Sequence, residues 1–425
     1  MITQRKTCID LFAGAGGLSE GLRQAGFDTV FANEISPAYS VTLQKNHPEA
    51  IIRTDDIRAI HAQKIRKQLG LKKGELDLLA GGPPCQGFSV NAPVRSVDDA
   101  RNHLFLEYLK FVEAFSPKVV LIENVPGMLS FERGETVAAI LTSLRQLGYA
   151  PEVRILFAAH YGVPQMRWRT IFIANRVGLD SASLYPTPTC VAEGRANFAT
   201  TYLGRSLILD QSKLKGLKRN TTVADALGDL PEIENGGGDD VMSYACTVQN
   251  AYQKFVRQGS SKLYNHTAAG LGKANLERLP HIPPGGSWRD IPFDLLPKGM
   301  KRARRSDHTK RYGRLHPDGL GSTILTKCDP HWGTYIHPQQ DRIISVREAA
   351  RIQSFPDRYH FYGTLIEQYA QVGNAVPPLL AKAIGNAIYA GLSEQTVSVL
   401  PTENVWAYPQ IDLDFEEYEL IKKRA

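Results

Sequence analysis

The first 125 residues repeat one pattern. A short apolar run of strand length ends in a turn carrying glycine or an acid, and a stretch of helical periodicity follows. Residues 7–12 pass into Ala13-Gly14-Ala15-Gly16-Gly17 and a helical stretch closed by Gly26. Residues 29–33 end at Glu34, and the weak run 50–53 ends at Asp55-Asp56-Ile57. The run through Leu79-Ala80 enters Gly81-Gly82-Pro83-Pro84-Cys85, and residues 118–122 stop at Glu123. Strand, turn and helix in that order predict an α/β fold with a parallel-core sheet whose C-terminal edge collects the turns.

Those turns suit a nucleoside-containing ligand. The glycines let the chain approach a ligand closely, and the helix that follows offers free backbone donors at its N-terminus. The turn departs from the full dinucleotide pattern, so alone it is weak. An acid at the end of the second strand, Glu34, is where a ribose would present its hydroxyls, and Ile35 could cover an adenine face. Asp56 could accept from the adenine amino group, or equally cap the next helical stretch.

Cys85 follows two glycines and two prolines, so it is a loop thiol on a stiff shoulder. It can be read as an ordinary reduced cysteine, a metal ligand or a nucleophile. The chain has five cysteines and no CxxC pair, which supports neither a zinc site nor a disulfide framework. A nucleophile needs a group that handles charge on its electrophile, and Glu123, at the mouth of another strand, is a candidate acid. Gln165, Arg167 and Arg169 alternate on an extended segment, so one face could bind phosphate or pair with Glu123. The polar stretch 91–102, with Arg95 and Arg101, is expected to close over a ligand.

From residue 184 the composition turns to glycine, proline and irregular spacing. Three parts are expected: residues 1–184, a small mostly β or irregular segment 185–362, and a return to the first sheet over 363–425. Residues 185–189 read as a hinge or exit from the sheet. Residues 368–378 read as a ligand-facing turn before a strong helix over 379–391. The net charge of +7 is modest, but Lys298, Lys301, Arg302, Arg304, Arg305, Lys310, Arg311 and Arg314 form a basic run interleaved with His308 and Tyr312. Such a run is either a solvated face or a polyanion footprint. No apolar stretch reaches membrane-spanning length, and the start runs into a strand instead of a secretory signal, so a cytoplasmic location is expected.

Seven stretches, in order and spanning nearly the whole chain, resemble the cytosine-5 DNA methyltransferases, bacterial modification enzymes most of all. They are Asp10-Leu11-Phe12-Ala13-Gly14-Ala15-Gly16-Gly17, Asn33-Glu34, Gly82-Pro83-Pro84-Cys85-Gln86-Gly87-Phe88-Ser89, Glu123-Asn124-Val125-Pro126-Gly127, Gln165-Met166-Arg167-Trp168-Arg169, Arg351-Ile352-Gln353-Ser354-Phe355-Pro356 and Gln371-Val372-Gly373-Asn374-Ala375-Val376-Pro377.

The resemblance implies S-adenosyl-L-methionine as methyl donor and no metal. Phe12, Ala13, Gly14, Gly16, Gly17, Glu34, Ile35, Asp56, Ile57, Pro84, Leu104, Asn374 and Ala375 would hold the cofactor. It implies Cys85 as nucleophile, Glu123 at N3 and the amino group of the base, Arg169 as the partner of Glu123, and Arg167 helping to hold the catalytic loop and its phosphate. Ile35 departs from relatives that carry tryptophan there. Double-stranded DNA would be the substrate, with a flipped-out cytosine. A monomer paired functionally with a cognate restriction endonuclease is expected. The rival readings are a tRNA cytosine-5 methyltransferase and a catalytically silent DNA-binding relative.

Overall fold

The computed structural model describes residues 5–84, 104–307 and 310–393. Seven strands form one sheet: β1 (Lys6–Leu11), β2 (Phe27–Asn33), β3 (Ile51–Arg53), β4 (Leu78–Gly81), β5 (Val119–Asn124), β6 (Ala150–Phe157) and β7 (Trp168–Asn175), in the order β3-β2-β1-β4-β5-β7-β6. From β3 to β5 every neighbouring pair is parallel, as the repeat predicts. β7 is the departure, running antiparallel to both β5 and β6. Residues 158–167 between β6 and β7 are too few for a crossover of a dozen or more residues, so the chain doubles back and enters between β5 and β6.

Alternate residues of each strand feed opposite faces. Ile9, Leu79 and Val120 enter one apolar cluster, while Cys8, Leu78 and Leu121 enter the other. The first face is covered by helices α3 (Ala62–Gln68), α4 (Leu104–Phe115) and α5 (Glu135–Gln146), with α2 (Pro37–Asn46) beside β3. The second takes α1 (Gly17–Gln24) and the helix Pro378–Ser393. A Cβ on Gly21 would lie 2.4 Å from both Ala381 Cβ and the Pro378 carbonyl oxygen. Gly21→Ala is therefore expected to lower stability by about 1–3 kcal/mol, read as a reduced denaturation midpoint at unchanged slope.

The middle of the chain is irregular, as its composition predicts, with short helices α6 (Val223–Leu227), α7 (Ala251–Val256) and α8 (Lys273–Leu276). Gly238–Met242 pairs antiparallel with Leu263–Thr267, and Gly313–Arg314 pairs with Thr334–Ile336. A separate small core gathers Leu279, Ile282, Trp288, Met300, Tyr312 and Ile336. Residues 185–189, expected as a hinge or exit from the sheet, begin with two residues bonded to the sheet and the turn after β6. The Tyr185 hydroxyl lies 2.9 Å from the Glu152 carbonyl and 2.7 Å from that of Ile171, and the Tyr161 hydroxyl donates to the Pro186 carbonyl at 3.2 Å.

Helix α9 (Val346–Ile352) starts at a reciprocal Ser345–Glu348 capping box. Arg351 in its last turn is fully buried between two buried acids, donating to Asp357 at 2.9 and 2.7 Å, to Asp229, and to the Ala226 carbonyl at 2.9 Å. Removing one member of such a network strands charge away from water. Arg351→Leu is expected to destabilise the fold by about 3–5 kcal/mol in chemical denaturation. Packing against the first part of the chain begins ahead of residue 363: the Tyr359 hydroxyl donates to the Ala15 carbonyl at 2.5 Å, and Asn46 Nδ2 to the His360 carbonyl at 2.9 Å.

The stretch read as a turn over 368–378 is mostly helix. α10 (Leu365–Asn374) is launched by a second capping box, Thr364 with Glu367, and α11 (Pro378–Ser393) follows almost at once. Gly373 sits inside α10 because the Leu325 carbonyl oxygen lies 2.2 Å from where its Cβ would be.

Candidate active site

The turns at the C-terminal ends of β1 to β5 lie along one sheet edge. At the end of β1, Phe12 adopts the left-handed conformation with φ 58°, a strained choice for an aromatic residue, and Gly14 follows with φ 58°. The Glu34 carboxylate then ties two strand ends together, accepting from the Gly14 N–H at 2.9 Å and the Ser36 N–H at 2.9 Å. Each oxygen keeps a lone pair, and burial raises the carboxyl above its ordinary pKa. Ile35 next to it is 62% exposed.

The three glycines differ in what they do. Nothing lies within 4 Å of a Cβ placed on Gly14, so its open side can admit a ligand. On Gly16 it would meet the Tyr359 hydroxyl at 2.5 Å and on Gly17 the Val376 carbonyl at 2.4 Å, so those two let α1 pack against the returning chain. Ala13, Ala375 and Ile57 are buried beside these turns, and Pro84 and Leu104 are half-buried. Asp56 takes the capping role: its carboxylate accepts from the Arg58 N–H at 2.9 Å and from the Arg58 guanidinium, which pulls it down to about 2. Asn374 is exposed at the end of α10, its amide 3.3 Å from the Tyr39 hydroxyl.

Glu123 and Arg169 form an ion pair, with side chains 14% and 11% exposed. Sheet register puts them together. Glu123 on β5 stands opposite Ile171 on β7, and Arg169, two residues along, is its diagonal neighbour on the same face. The shoulder of the Cys85 loop lies against this pair: a Cβ on Gly82 would come within 3.2 Å of the Glu123 carboxylate. Asn124 Nδ2 donates to the Pro83 carbonyl at 3.1 Å, so the residue after Glu123 holds the loop that leads to Cys85. Sequence reading had given Asn124 and Gly82 no separate role. Their place directly beside the candidate acid and in the loop shoulder was the available signal. Cys85 itself, the stretch 91–102 with Arg95 and Arg101, and His308 lie outside the described residues.

Of the three alternating residues, Arg169 alone meets Glu123. Arg167 is 1% exposed and donates to the carbonyls of Ile324 at 3.1 Å, Gly373 at 3.0 Å and Ala375 at 2.9 Å. Gln165 donates to the Ile352 carbonyl at 3.2 Å and accepts from the Ile324 N–H at 3.1 Å. Both clamp the middle segment and the returning chain onto the sheet, because the chain bends ahead of β7. Within the described structure Arg167 holds those three carbonyls; the loop and phosphate that the resemblance has it help to hold lie outside the described residues.

The basic run divides as well. Lys298, Lys301, Arg302, Arg304, Arg305 and Lys310 are exposed and Arg311 half-buried, but Arg314 and Tyr312 are buried. Arg314 spends its guanidinium on the carbonyls of Leu279, Ile282, His337 and Gln340 and on Asp341.

The family model of the C-5 cytosine-specific DNA methylases matches residues 6–390. The chain belongs to that family. It is 35% identical to the Type II methyltransferase M.AgeI of Thalassovita gelatinovora, covering 91% of this chain and 99% of that protein. It is 32% identical to the DNA (cytosine-5)-methyltransferase PliMCI of Paracentrotus lividus, covering 92% of this chain but 28% of that longer one. A solved structure described as a DNA modification methyltransferase encoded within an E. coli prophage superposes with a TM-score of 0.69 at 25% identity, covering 92% of this chain and 100% of that one.

As a C-5 cytosine methylase, the chain transfers methyl groups from S-adenosyl-L-methionine to cytosine in DNA. The edge fits that donor. Gly14 is open, Ile35 presents an apolar face, and Asp10 Oδ1 is buried without a hydrogen-bond partner. Burial also pushes the Asp10 carboxyl up to about 7. Among the described residues no helix is long and apolar enough to cross a membrane, and no group of three or more His, Cys, Asp or Glu could hold a metal.

Proposed function

We propose that the methylase works through a covalent bond between Cys85 and carbon 6 of a flipped-out cytosine. Carbon 5 of cytosine is too poor a nucleophile to take a sulfonium methyl directly. Addition of the Cys85 thiolate at carbon 6 makes an enamine-like ring, and Glu123, hydrogen-bonded at N3 and the amino group, offsets the charge that develops. Arg169 holds the Glu123 carboxylate in place. Bound S-adenosyl-L-methionine would supply the electrophilic methyl group to carbon 5, its sulfur keeping the electron pair of the broken S–CH3 bond and leaving as the neutral thioether. Loss of the carbon 5 proton and expulsion of Cys85 restore the aromatic ring.

The observation that carries this reading is the Glu123–Arg169 pair set against the Gly82–Pro83 shoulder, two residues ahead of Cys85 in the chain. Phe12, Gly14, Glu34, Ile35 and Asn374 would hold the donor. The segment after β7 would read the bases around the target, with its contacts within about residues 250–335, and the exposed cations would meet the backbone. We infer a cytoplasmic monomer acting on double-stranded DNA and guarding it against a cognate restriction endonuclease. Support comes from the charge distribution and from the likeness to a Type II methyltransferase.

The test supplies labelled S-adenosyl-L-methionine with unmodified DNA and total tRNA, then maps both acceptors by bisulfite sequencing. Label at one cytosine of a recurring short DNA sequence is the expected result. Label in tRNA alone would overturn the DNA assignment.

A further inference from the structure

The loop 325–334 belongs to the middle segment, yet it is rooted beside the active site. At one end the Ile324 carbonyl accepts from Arg167, two residues from Arg169, and the Leu325 carbonyl rests against Gly373 of α10. The Tyr335 hydroxyl closes that end, accepting from the Leu325 N–H at 3.2 Å. The far end is tied to the basic run: the Tyr312 N–H donates to the Pro330 carbonyl at 2.6 Å and the Gly313 N–H to that of Gly333 at 3.3 Å. His331 bridges the two, with Nδ1 2.7 Å from Asp329 Oδ1 and Nε2 2.6 Å from the Tyr312 hydroxyl.

On this braced loop Trp332 stands 60% exposed. Its N–H backbone donor is fixed to the Asp329 carbonyl at 2.9 Å, and the Arg311 guanidinium lies 5.8 Å from its ring centroid. Lone exposed apolar side chains are common on protein surfaces, but an indole is the largest of them and the chain buries its Trp288 to 4%. Here the backbone on both sides is braced, the Arg311 guanidinium lies by the ring, and the loop root is tied to Arg167, two residues from the partner of Glu123. A flat apolar face beside a cation suits a stacked base with its phosphates, since base–aromatic stacking and cation contacts act together on nucleic acid.

We propose that Trp332 is a DNA-contacting residue whose indole packs on the base step beside the flipped cytosine, while Arg311 meets the adjacent phosphate. The proposal rests on the reading of duplex DNA as substrate. Flipping removes one stacking partner from each neighbouring base, and the indole replaces part of that lost contact. Trp332 acts in binding and positioning, and touches none of the reacting bonds.

The test compares full-length wild type, Trp332→Ala and Trp332→Phe on the duplex identified by methylation mapping. It measures DNA affinity, kcat, KM for DNA, and the fluorescence of 2-aminopurine placed beside the target. Trp332→Ala is expected to lose about 10- to 100-fold in kcat/KM for DNA and to change the 2-aminopurine signal. Trp332→Phe should recover most of the loss, and cofactor affinity should match wild type in both. A Trp332→Ala enzyme that binds and methylates the duplex as wild type does, with the same fluorescence, overturns the assignment to Trp332 and leaves the catalytic reading standing. A wild type that methylates no DNA overturns both.

Discussion

Cys85→Ala is expected to abolish methyl transfer, lowering the single-turnover rate by on the order of 10⁴-fold or more, the scale seen when a covalent nucleophile is removed. Without the thiolate, carbon 5 never acquires the electron density to attack a sulfonium methyl, and the remaining groups only bind. Binding should therefore survive, with cofactor and duplex affinities close to wild type. A second readout isolates the bond itself. In DNA carrying 5-fluorocytosine at the target, carbon 5 has no proton to lose, so wild type should remain attached through carbon 6 as a denaturant-resistant adduct. Cys85→Ala should form none. An adduct in the alanine variant would place the nucleophile elsewhere.

Glu123→Gln is expected to lower kcat by about 10²- to 10⁴-fold, the range for a positioned proton-handling group. The amide is nearly the same shape, so KM for the methyl donor should hardly move. The carboxylate is largely withdrawn from water and paired to Arg169, and the pair makes a second comparison possible. Arg169→Leu leaves a poorly solvated carboxylate facing Gly82 and the loop shoulder, so its loss should approach that of Glu123→Gln. The double variant should be little worse than either single one, as for groups that act as a unit. Additive losses would show that Arg169 has a role apart from Glu123.

Much of the site could be read from the chain. Glu34, Glu123 and the glycine turn follow strand-length apolar runs, and in a sheet built by strand–helix repeats such ends must share an edge. The residues alone offered Cys85 as one possible nucleophile and Arg169 as one possible partner of Glu123, and the motifs chose among those readings; Cys85 lies outside the described residues. The helix over 365–374 was misread because Gly373 and Asn374 look like turn residues. The Thr364–Glu367 capping box was the overlooked signal, and the glycine is explained by Leu325 pressing on the helix from far along the chain.

Sequence alone thus determined the α/β class, the sheet edge where the strand-end turns lie and the types of residue gathered there, because strand and helix periodicity are local properties. Tertiary structure decided the partnerships. Arg167 and Arg169 have the same side-chain chemistry two positions apart, yet only the antiparallel insertion of β7 beside β5 sets Arg169 against Glu123, while the bend before β7 turns Arg167 onto three carbonyls. Arg314 likewise left the basic run for the interior, and Gly16 and Gly17 turned out to accommodate Tyr359 and Val376. In each case the deciding neighbour lies far away in sequence, and register and packing, which no local pattern encodes, brought it into contact.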